Sequence, residues 1–359
     1  MTKTHIYSLL LALLAAILFG MSAPLSKLLL GEIDPIVLAA FLYLGSGIGL
    51  LIIKIIRTAI KSANNNEAKL VKTDIKWLAG ATLSGGIIAP IILLYSLDAT
   101  PAATASLLLN FESVATTILA AIVFKEAVSR SAWWAIVLIT VASVLLSINL
   151  ESTWGFSLGA LGIIAASFFW GIDNNLTRNI SGKDPLTIVT IKGLVAGTFS
   201  LILALILDQS IPNWETILKA LTLGSLSYGL SISLFIIALR GLGAARTSAL
   251  FSTSPLSGLA LSFIIYQSLP GFLFIFAFPL MILGTIFLVY EEHEHTHAHA
   301  YLSHDHSHNH SDGHHIHIHS NKNLNIPSHT HPHEHQQINH DHHHMPDTHH
   351  RHKHNLETC

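Results

Sequence analysis

The sequence predicts an all-α integral membrane protein: ten transmembrane helices in two inverted five-helix repeats, followed by a disordered, histidine-rich C-terminal tail. Three observations predict it. Of 359 residues, 51% are hydrophobic and only 11% charged, against roughly 25% charged in soluble domains, so most of the chain needs no water-facing surface. The apolar residues fall into ten runs. The first five runs and the second five share motifs in the same order.

A helix needs about 20 apolar residues to cross the hydrocarbon layer. Runs of that kind cover residues 7–29, 35–56, 77–97, 102–123 and 131–149, then 158–178, 185–207, 216–239, 245–266 and 271–290. The first is too long for the apolar core of a secretory leader and is expected to be an uncleaved span. Pro24, Pro90, Pro255 and Pro279 lie inside runs, which membrane helices tolerate where neighbours satisfy the freed carbonyls.

Loop charge orients the spans. Lys54, Arg57, Lys61, Lys69, Lys72 and Lys76 follow span two, Lys125 and Arg130 span four, Arg178 and Lys183 span six, and Arg240 and Arg246 span eight. The alternate loops carry Glu32 and Asp34, Asp98, Glu151, Asp208 and Glu215, with Lys219 the one basic residue there. By the positive-inside bias, the even-numbered loops and both termini are expected in the cytoplasm of a cell inner (plasma) membrane.

The halves repeat. Phe19-Gly20 and Leu25-Ser26-Lys27 match Trp170-Gly171 and Leu176-Thr177-Arg178, and Asp34-Pro35 matches Asp184-Pro185. Ser96-Leu97, Ala102-Ala103 and Ser106 recur as Ala238-Leu239, Ala244-Ala245 and Ser248. An odd number of spans per copy turns the second copy upside down, the architecture of many secondary transporters, with the substrate site near the midplane between copies. The expected units are 1–150, 151–290 and a tail, 291–359.

The stretch YSLDATPAATASLLLNFESVATTILAAIVFKEAVS and its counterpart ALRGLGAARTSALFSTSPLSGLALSFIIYQSLP resemble the EamA-type drug/metabolite transporter superfamily, over roughly residues 7 to 290. The resemblance implies a 5+5 inverted bundle in the cytoplasmic membrane that moves small organic solutes, usually outward, by secondary transport. Two positions depart from the family pattern. Gln267 stands where the second repeat usually carries an acid (Glu126 keeps it in the first), and Leu42 stands where an Arg is often found.

Charge at membrane depth is expensive and is by default a functional hypothesis. The candidates for a substrate and coupling path are Glu112, Asn110, Asp173, Asn174, Lys192, Trp170 and Lys27. Glu112, beside Asn110 near the middle of span four, suits a proton carrier; a protonated carboxyl hydrogen-bonded to a neighbouring helix is the structural alternative. Lys192 in span seven suits an ion pair with Asp173 or Glu112, which is as consistent with architecture as with transport. Lys27 suits snorkelling to the outer interface, and Trp170 suits packing as well as substrate stacking. The glycines at 45, 47, 49, 193 and 197 suit close helix approach.

All histidines but His5 lie between His293 and His354. The repeating His-x-His puts alternate residues on one side of an extended chain, and neutral imidazole is the commonest metal ligand. The candidate ligands are His293, His295, His297, His299, His304, His306, His308, His310, His314, His315, His317 and His319, suited to Zn, Ni, Co or Cu. Low complexity and scarce apolar residues predict disorder without metal. The lone Cys359 forms no disulfide within the chain and no Cys-rich site.

Neither a Walker A motif nor a nucleophile–base constellation is present, so no ATPase and no enzyme is expected, and no cofactor is required. The expected partners are a small-molecule substrate, membrane lipid, metal ions at the tail and a second copy in a homodimer, with no nucleic acid. Three functions compete: an exporter of small organic metabolites whose tail senses or buffers metal, an exporter of divalent cations (Ni, Co, Zn) whose tail delivers cargo, and an anchored metal store or sensor. The inverted repeat opposes the third, and a bundle without histidine and with few carboxylates opposes the second.

Overall fold

The computed structural model describes residues 3–59, 68–123, 130–149, 156–180, 182–238, 250–267 and 271–289, and the backbone of 293–298, 302–309, 328–335 and 339–344. In lipid every backbone polar group needs a partner within the protein, and the described body is accordingly helical. Its helices are α1 (Lys3–Gly20), α2 (Ser22–Leu29), α3 (Pro35–Ala59), α4 (Ile75–Ala81), α5 (Ala89–Asp98), α6 (Ala102–Leu108), α7 (Phe111–Val123), α8 (Arg130–Ser147), α9 (Leu158–Arg178), α10 (Pro185–Ile206), α11 (Trp214–Gly224), α12 (231–238), α13 (Ser254–Tyr266) and α14 (Phe272–Val289). Two π-helical segments, Thr82–Ile88 and Ser225–Leu230, join α4 to α5 and α11 to α12.

The duplicated Asp-Pro pairs start helices. Asp184 Oδ1 accepts the Leu186 N–H at 3.1 Å, and Pro185 fills the first helical position, where a missing N–H costs nothing. Its counterpart Asp34 offers its carbonyl to Leu38 N at 2.8 Å at the start of α3, as Asp184 does to Ile188 N at 3.1 Å. Inside the helices, hydroxyls fold back on carbonyls four residues earlier: Thr82 on Leu78, Ser147 on Ser143, Ser262 on Gly258 and Thr285 on Met281. This satisfies each hydroxyl without a water.

The outside of the body is apolar. Ile6, Leu10, Leu14 and Ile17 form an exposed stripe at helical spacing on α1, and Phe272, Ile275, Phe276 and Leu283 do so on α14. In water such a surface would aggregate; in a bilayer it faces lipid. The chain is a multi-pass membrane protein. Seven stretches of the described residues are long and apolar enough to cross: Ile6–Leu29, Pro35–Arg57, Lys72–Asp98, Ala102–Val123, Arg130–Ser147, Pro185–Ile206 and Trp214–Ala238. The other three expected runs fall short of that measure for visible reasons. α9 carries Asp173, Asn174 and Asn175, while Ser254–Tyr266 and Phe272–Phe287 are apolar but shorter, and residues 239–249 lie outside the described residues.

At the centre α3 crosses α10 at backbone distance. A Cβ on Gly47 would stand 2.6 Å from Leu194 N, and one on Gly197 would stand 2.5 Å from Leu44 N. Gly47 and Gly197 are 150 positions apart, as are Leu44 and Leu194, and as are Asp34 and Asp184, so the contact is reciprocal. The two π-segments also sit at matching places, offset as Ser96 is from Ala238.

The tail departs from the expectation of disorder. Its backbone forms β1 (His293–Ala298), β2 (Leu302–Asn309), β3 (Ser328–His335) and β4 (Asn339–His344). β1 pairs antiparallel with β4 and β2 with β3. The period of two in His-x-His is the period of a strand, so the pattern that repels a packed core still suits a ribbon. The register sets His293, His295 and His297 opposite His344, His342 and His340, and His304, His306 and His308 opposite His333, His331 and His329.

The α3–α10 crossing is open to a direct test. Gly197→Ala should lower thermal stability in detergent by about 1–3 kcal/mol, the usual cost of overpacking a core. Gly271→Ala, where a new Cβ meets nothing within 4 Å, should leave the unfolding midpoint unchanged.

Candidate functional site

The fourth span is interrupted. α6 stops at Leu108, Leu109 and Asn110 form a turn, and α7 restarts at Phe111 with Glu112 in its first turn. Short-range bonds bridge the gap, Asn110 N to Leu107 O at 3.0 Å and Glu112 N to Leu109 O at 3.1 Å. A matching turn at Ser252–Thr253 precedes α13, closed by Thr253 N to Leu250 O at 3.2 Å. Asn110 and Ser252 are offset as Ser96 and Ala238 are, so the two interruptions occupy equivalent places in the two halves.

A cavity lies where they meet. Leu109, Asn110, Glu112 and Ser113 line it from the first interruption, and Phe251, Ser252, Ser254 and Pro255 from the second; Phe19, Gly20 and Ser106 complete it. Broken helices at membrane depth persist where they line a cavity or are buried in protein. Gly20 lets α1 approach: a Cβ there would collide with the Ser254 carbonyl and the Ser257 hydroxyl.

Behind Glu112 runs a polar chain. Asn174 Nδ2 donates to Glu112 Oε1 at 2.8 Å and to Thr116 Oγ1 at 3.2 Å. Next to it on α9, Asp173 is held by Lys192 of α10, whose Nζ lies 2.6 Å from both carboxylate oxygens, and by the Thr177 hydroxyl at 2.8 Å. Asp173 fits because Gly85 carries no side chain; a Cβ on Gly85 would overlap the Asp173 carboxylate. Among the described residues Asp173 has a cationic partner, Lys192, and no Lys or Arg lies within 4.0 Å of Glu112.

The Gly85 carbonyl is the other junction. In a π-helix the carbonyl of residue i accepts from i+5, as Ser84 O does from Ala89 N. For Gly85 that partner is Pro90, which has no N–H. The orphaned carbonyl is taken by Tyr43 Oη at 2.6 Å and Trp170 Nε1 at 2.9 Å. These rings belong to an aromatic cluster around Phe19: Trp170 at 6.5 Å between ring centres, Tyr228 at 6.0 Å and Phe251 at 5.2 Å, with Tyr43 at 5.5 Å from Tyr228.

Of the residues expected from sequence, Glu112 and Asn110 line the cavity. Asn174 touches Glu112, while Asp173 and Lys192 pair beside it and Trp170 locks the π-segment. Asn110 also donates to Thr285 Oγ1 at 2.8 Å, tying the interruption to α14. Lys27 stands apart: its Nζ lies 2.7 Å from Leu97 O and 3.0 Å from Asp98 O, on the carbonyl end of α5, where a cation complements the helix dipole. Sequence reasoning missed Tyr43, Tyr228, Phe19, Phe251 and Gly85 as site residues. The one legible signal was Gly85 five residues before Pro90, which frees a carbonyl only if the helix there is π-helical.

Among the described side chains, no three of His, Cys, Asp and Glu gather into a group fit for a metal ion. Of the expected tail ligands, His293, His295, His297, His304, His306 and His308 lie in β1 and β2, and His299, His310, His314, His315, His317 and His319 lie outside the described residues.

The sequence profile of the EamA-like transporter family matches residues 6–148 and again residues 157–290. An uncharacterized transporter of Methanothermobacter thermautotrophicus is 34% identical over 266 residues, 70% of this chain and 77% of the relative. A solved structure, described only as the crystal structure of a protein, shares the fold at TM-score 0.57 and 17% identity, over 78% of this chain and 95% of the other.

The buried ion pair yields a stability test. Lys192→Met leaves the Asp173 carboxylate buried without its cation, and loss of one partner of such a pair costs about 3–5 kcal/mol. Asp173→Asn with Lys192→Met, which removes both charges, should recover most of that loss in thermal unfolding.

Proposed function

This chain belongs to the EamA-like transporter family, and from that premise we propose that it is a secondary transporter of the inner (plasma) membrane that exports small organic metabolites. Its ten spans form two inverted five-helix repeats, residues 1–150 and 151–290, with both termini in the cytoplasm. The observation that carries the reading is the cavity between the two equivalent helix interruptions. A substrate site on the axis relating two inverted halves can be exposed to either side by rocking one half against the other. The reciprocal contacts of Gly47 and Gly197 with Leu194 and Leu44 support that axis.

In this reading Glu112 is the coupling group. It is ionisable, lies against the cavity, and has Asn174 rather than a cation as its hydrogen-bond partner. Substrate and proton then occupy the cavity in alternation, and the inward proton gradient drives export. Asp173, Lys192 and Thr177 hold the wall in place, and no enzymatic step or resident cofactor takes part.

The tail is the metal-binding element. The fit rests on the register, which sets histidine opposite histidine at three successive same-face positions in each ribbon. Zn, Ni, Co or Cu suits such a donor set. The same feature favours a second reading, export of divalent cations delivered by the tail, although among the residues that line the cavity only Glu112 offers a cation a carboxylate.

Two measurements test these assignments. In proteoliposomes, Glu112→Gln should lose gradient-driven flux to the level of empty vesicles while keeping substrate exchange, since exchange needs no net change in protonation. Normal driven flux would remove Glu112 from coupling. Truncation after Glu292 should abolish most Zn and Ni binding at neutral pH and leave the bundle's unfolding midpoint in place. Binding to the intact chain should weaken below about pH 6, because imidazoles with an unperturbed pKa of ~6.5 stop being ligands once protonated. Slower metal efflux in the truncated protein would favour the cation reading.

A further inference from the structure

The tail's histidine rows mirror each other along the chain. They fall at 293, 295 and 297 in β1 and at 304, 306 and 308 in β2, so the alternation changes phase between the two strands. On the returning arm the row runs 329, 331, 333 and 335 in β3 and 340, 342 and 344 in β4, with its own change of phase. Both ribbons share one register: nine positions on from His293 and nine back from His344 stand Leu302 and His335, again opposite each other. The change of phase on one arm is matched on the other, and histidine faces histidine in both ribbons.

The four strands have little else to hold their arms together. A two-stranded ribbon is marginal in water, and the apolar residues of these strands are Ala298, Leu302 and Pro332. The alternate positions include Glu294, Asp305, Glu334 and Asp341, acids that draw cations towards the ribbon. Two successive histidine rungs hold four imidazoles, two from each arm, the ligand number that a closed Zn site takes.

Resting on the assignment of the tail as the metal-binding element, we infer that β1 with β4 and β2 with β3 are two sites for a borderline divalent cation such as Zn, each built by both arms and closed by the ion. Metal-binding free energy is then folding free energy. The order of closure follows from chain length. β2 and β3 close a connection of 18 residues, 310–327, whereas β1 and β4 on their own close one of 40, 299–338. Once the inner pair is closed, only residues 299–301 and 336–338 separate it from the outer pair, which then meets at high effective concentration. The inner ion promotes the outer one, and the tail responds to metal more steeply than two independent sites would.

The test uses purified full-length protein carrying Cys359→Ser and spin labels at opposed register positions. Thr296→Cys with Asp341→Cys reports the outer pair, and Ser307→Cys with Thr330→Cys the inner. Zn added after chelator treatment should bring each label pair to the spacing of neighbouring strands, about 5 Å between backbones, the inner pair at no higher Zn than the outer. His293→Ala, His295→Ala and His297→Ala together should abolish outer closure and leave inner closure in place. His304→Ala, His306→Ala and His308→Ala together should abolish inner closure and move outer closure to several-fold higher Zn. Arms already closed in chelator, or outer closure indifferent to loss of the inner row, would overturn the inference. Arms that stay apart while Zn binds, and is lost on truncation after Glu292, would also overturn it and leave the tail as a metal-binding element that chelates within each arm. Equal Zn binding by full-length and truncated protein would overturn the metal reading of the tail itself.

Discussion

One orphaned carbonyl organises the centre of this protein. In hydrocarbon an unsatisfied backbone C=O costs several kcal/mol, and Gly85 has lost its helical partner to Pro90. Tyr43 and Trp170 both donate to it, which fixes α3 and α9 against the π-segment at one point. The same glycine, by lacking a Cβ, leaves room for the Asp173 carboxylate, and Asp173 in turn draws Lys192 of α10. Three helices are thus positioned around a single residue whose chemistry consists of a carbonyl without a helical partner and an absent side chain.

That arrangement divides the buried Asp173 and the half-buried Glu112 into different roles. Asp173 lies 2.6 Å from its cation through both oxygens and acts as part of the wall. Glu112, one residue position away through Asn174, has an amide in place of a cation. A charge already neutralised by a fixed partner has little to gain from a mobile one, whereas a carboxylate held by a neutral donor can still exchange a proton or a cation. The electrostatic difference between the acids comes from what each meets across a helix interface, Lys192 of α10 for Asp173 and Asn174 of α9 for Glu112.

Duplication explains why the cavity is central. Gly47 meets Leu194 as Gly197 meets Leu44, the π-segments recur, and the helix interruptions at Asn110 and Ser252 fall at equivalent places. The two halves are not chemically equal, however. Lys192 of the second half has apolar Leu42 as its counterpart, and Glu112 of the first half has Ser254, so each half carries a charge where the other is neutral. The shared backbone geometry supplies the cavity, and the differences in side chains supply its polarity.

The sequence by itself determined the membrane-spanning body, the approximate limits of its described helices, the repeated halves and the family. Each of these is carried by local periodicity, by composition or by motif order, which survive without knowledge of who packs against whom. Asp34-Pro35 and Asp184-Pro185 were legible for the same reason, since capping involves neighbours in the chain. Only the tertiary structure decided that Lys192 pairs with Asp173 rather than Glu112, that Lys27 closes the end of α5, and that Tyr43 and Tyr228 join the aromatic cluster. It also set the register that faces one row of tail histidines with another, where composition predicted disorder. These outcomes depend on contacts between residues tens to hundreds of positions apart, and no periodicity along one helix encodes which face of another it will meet.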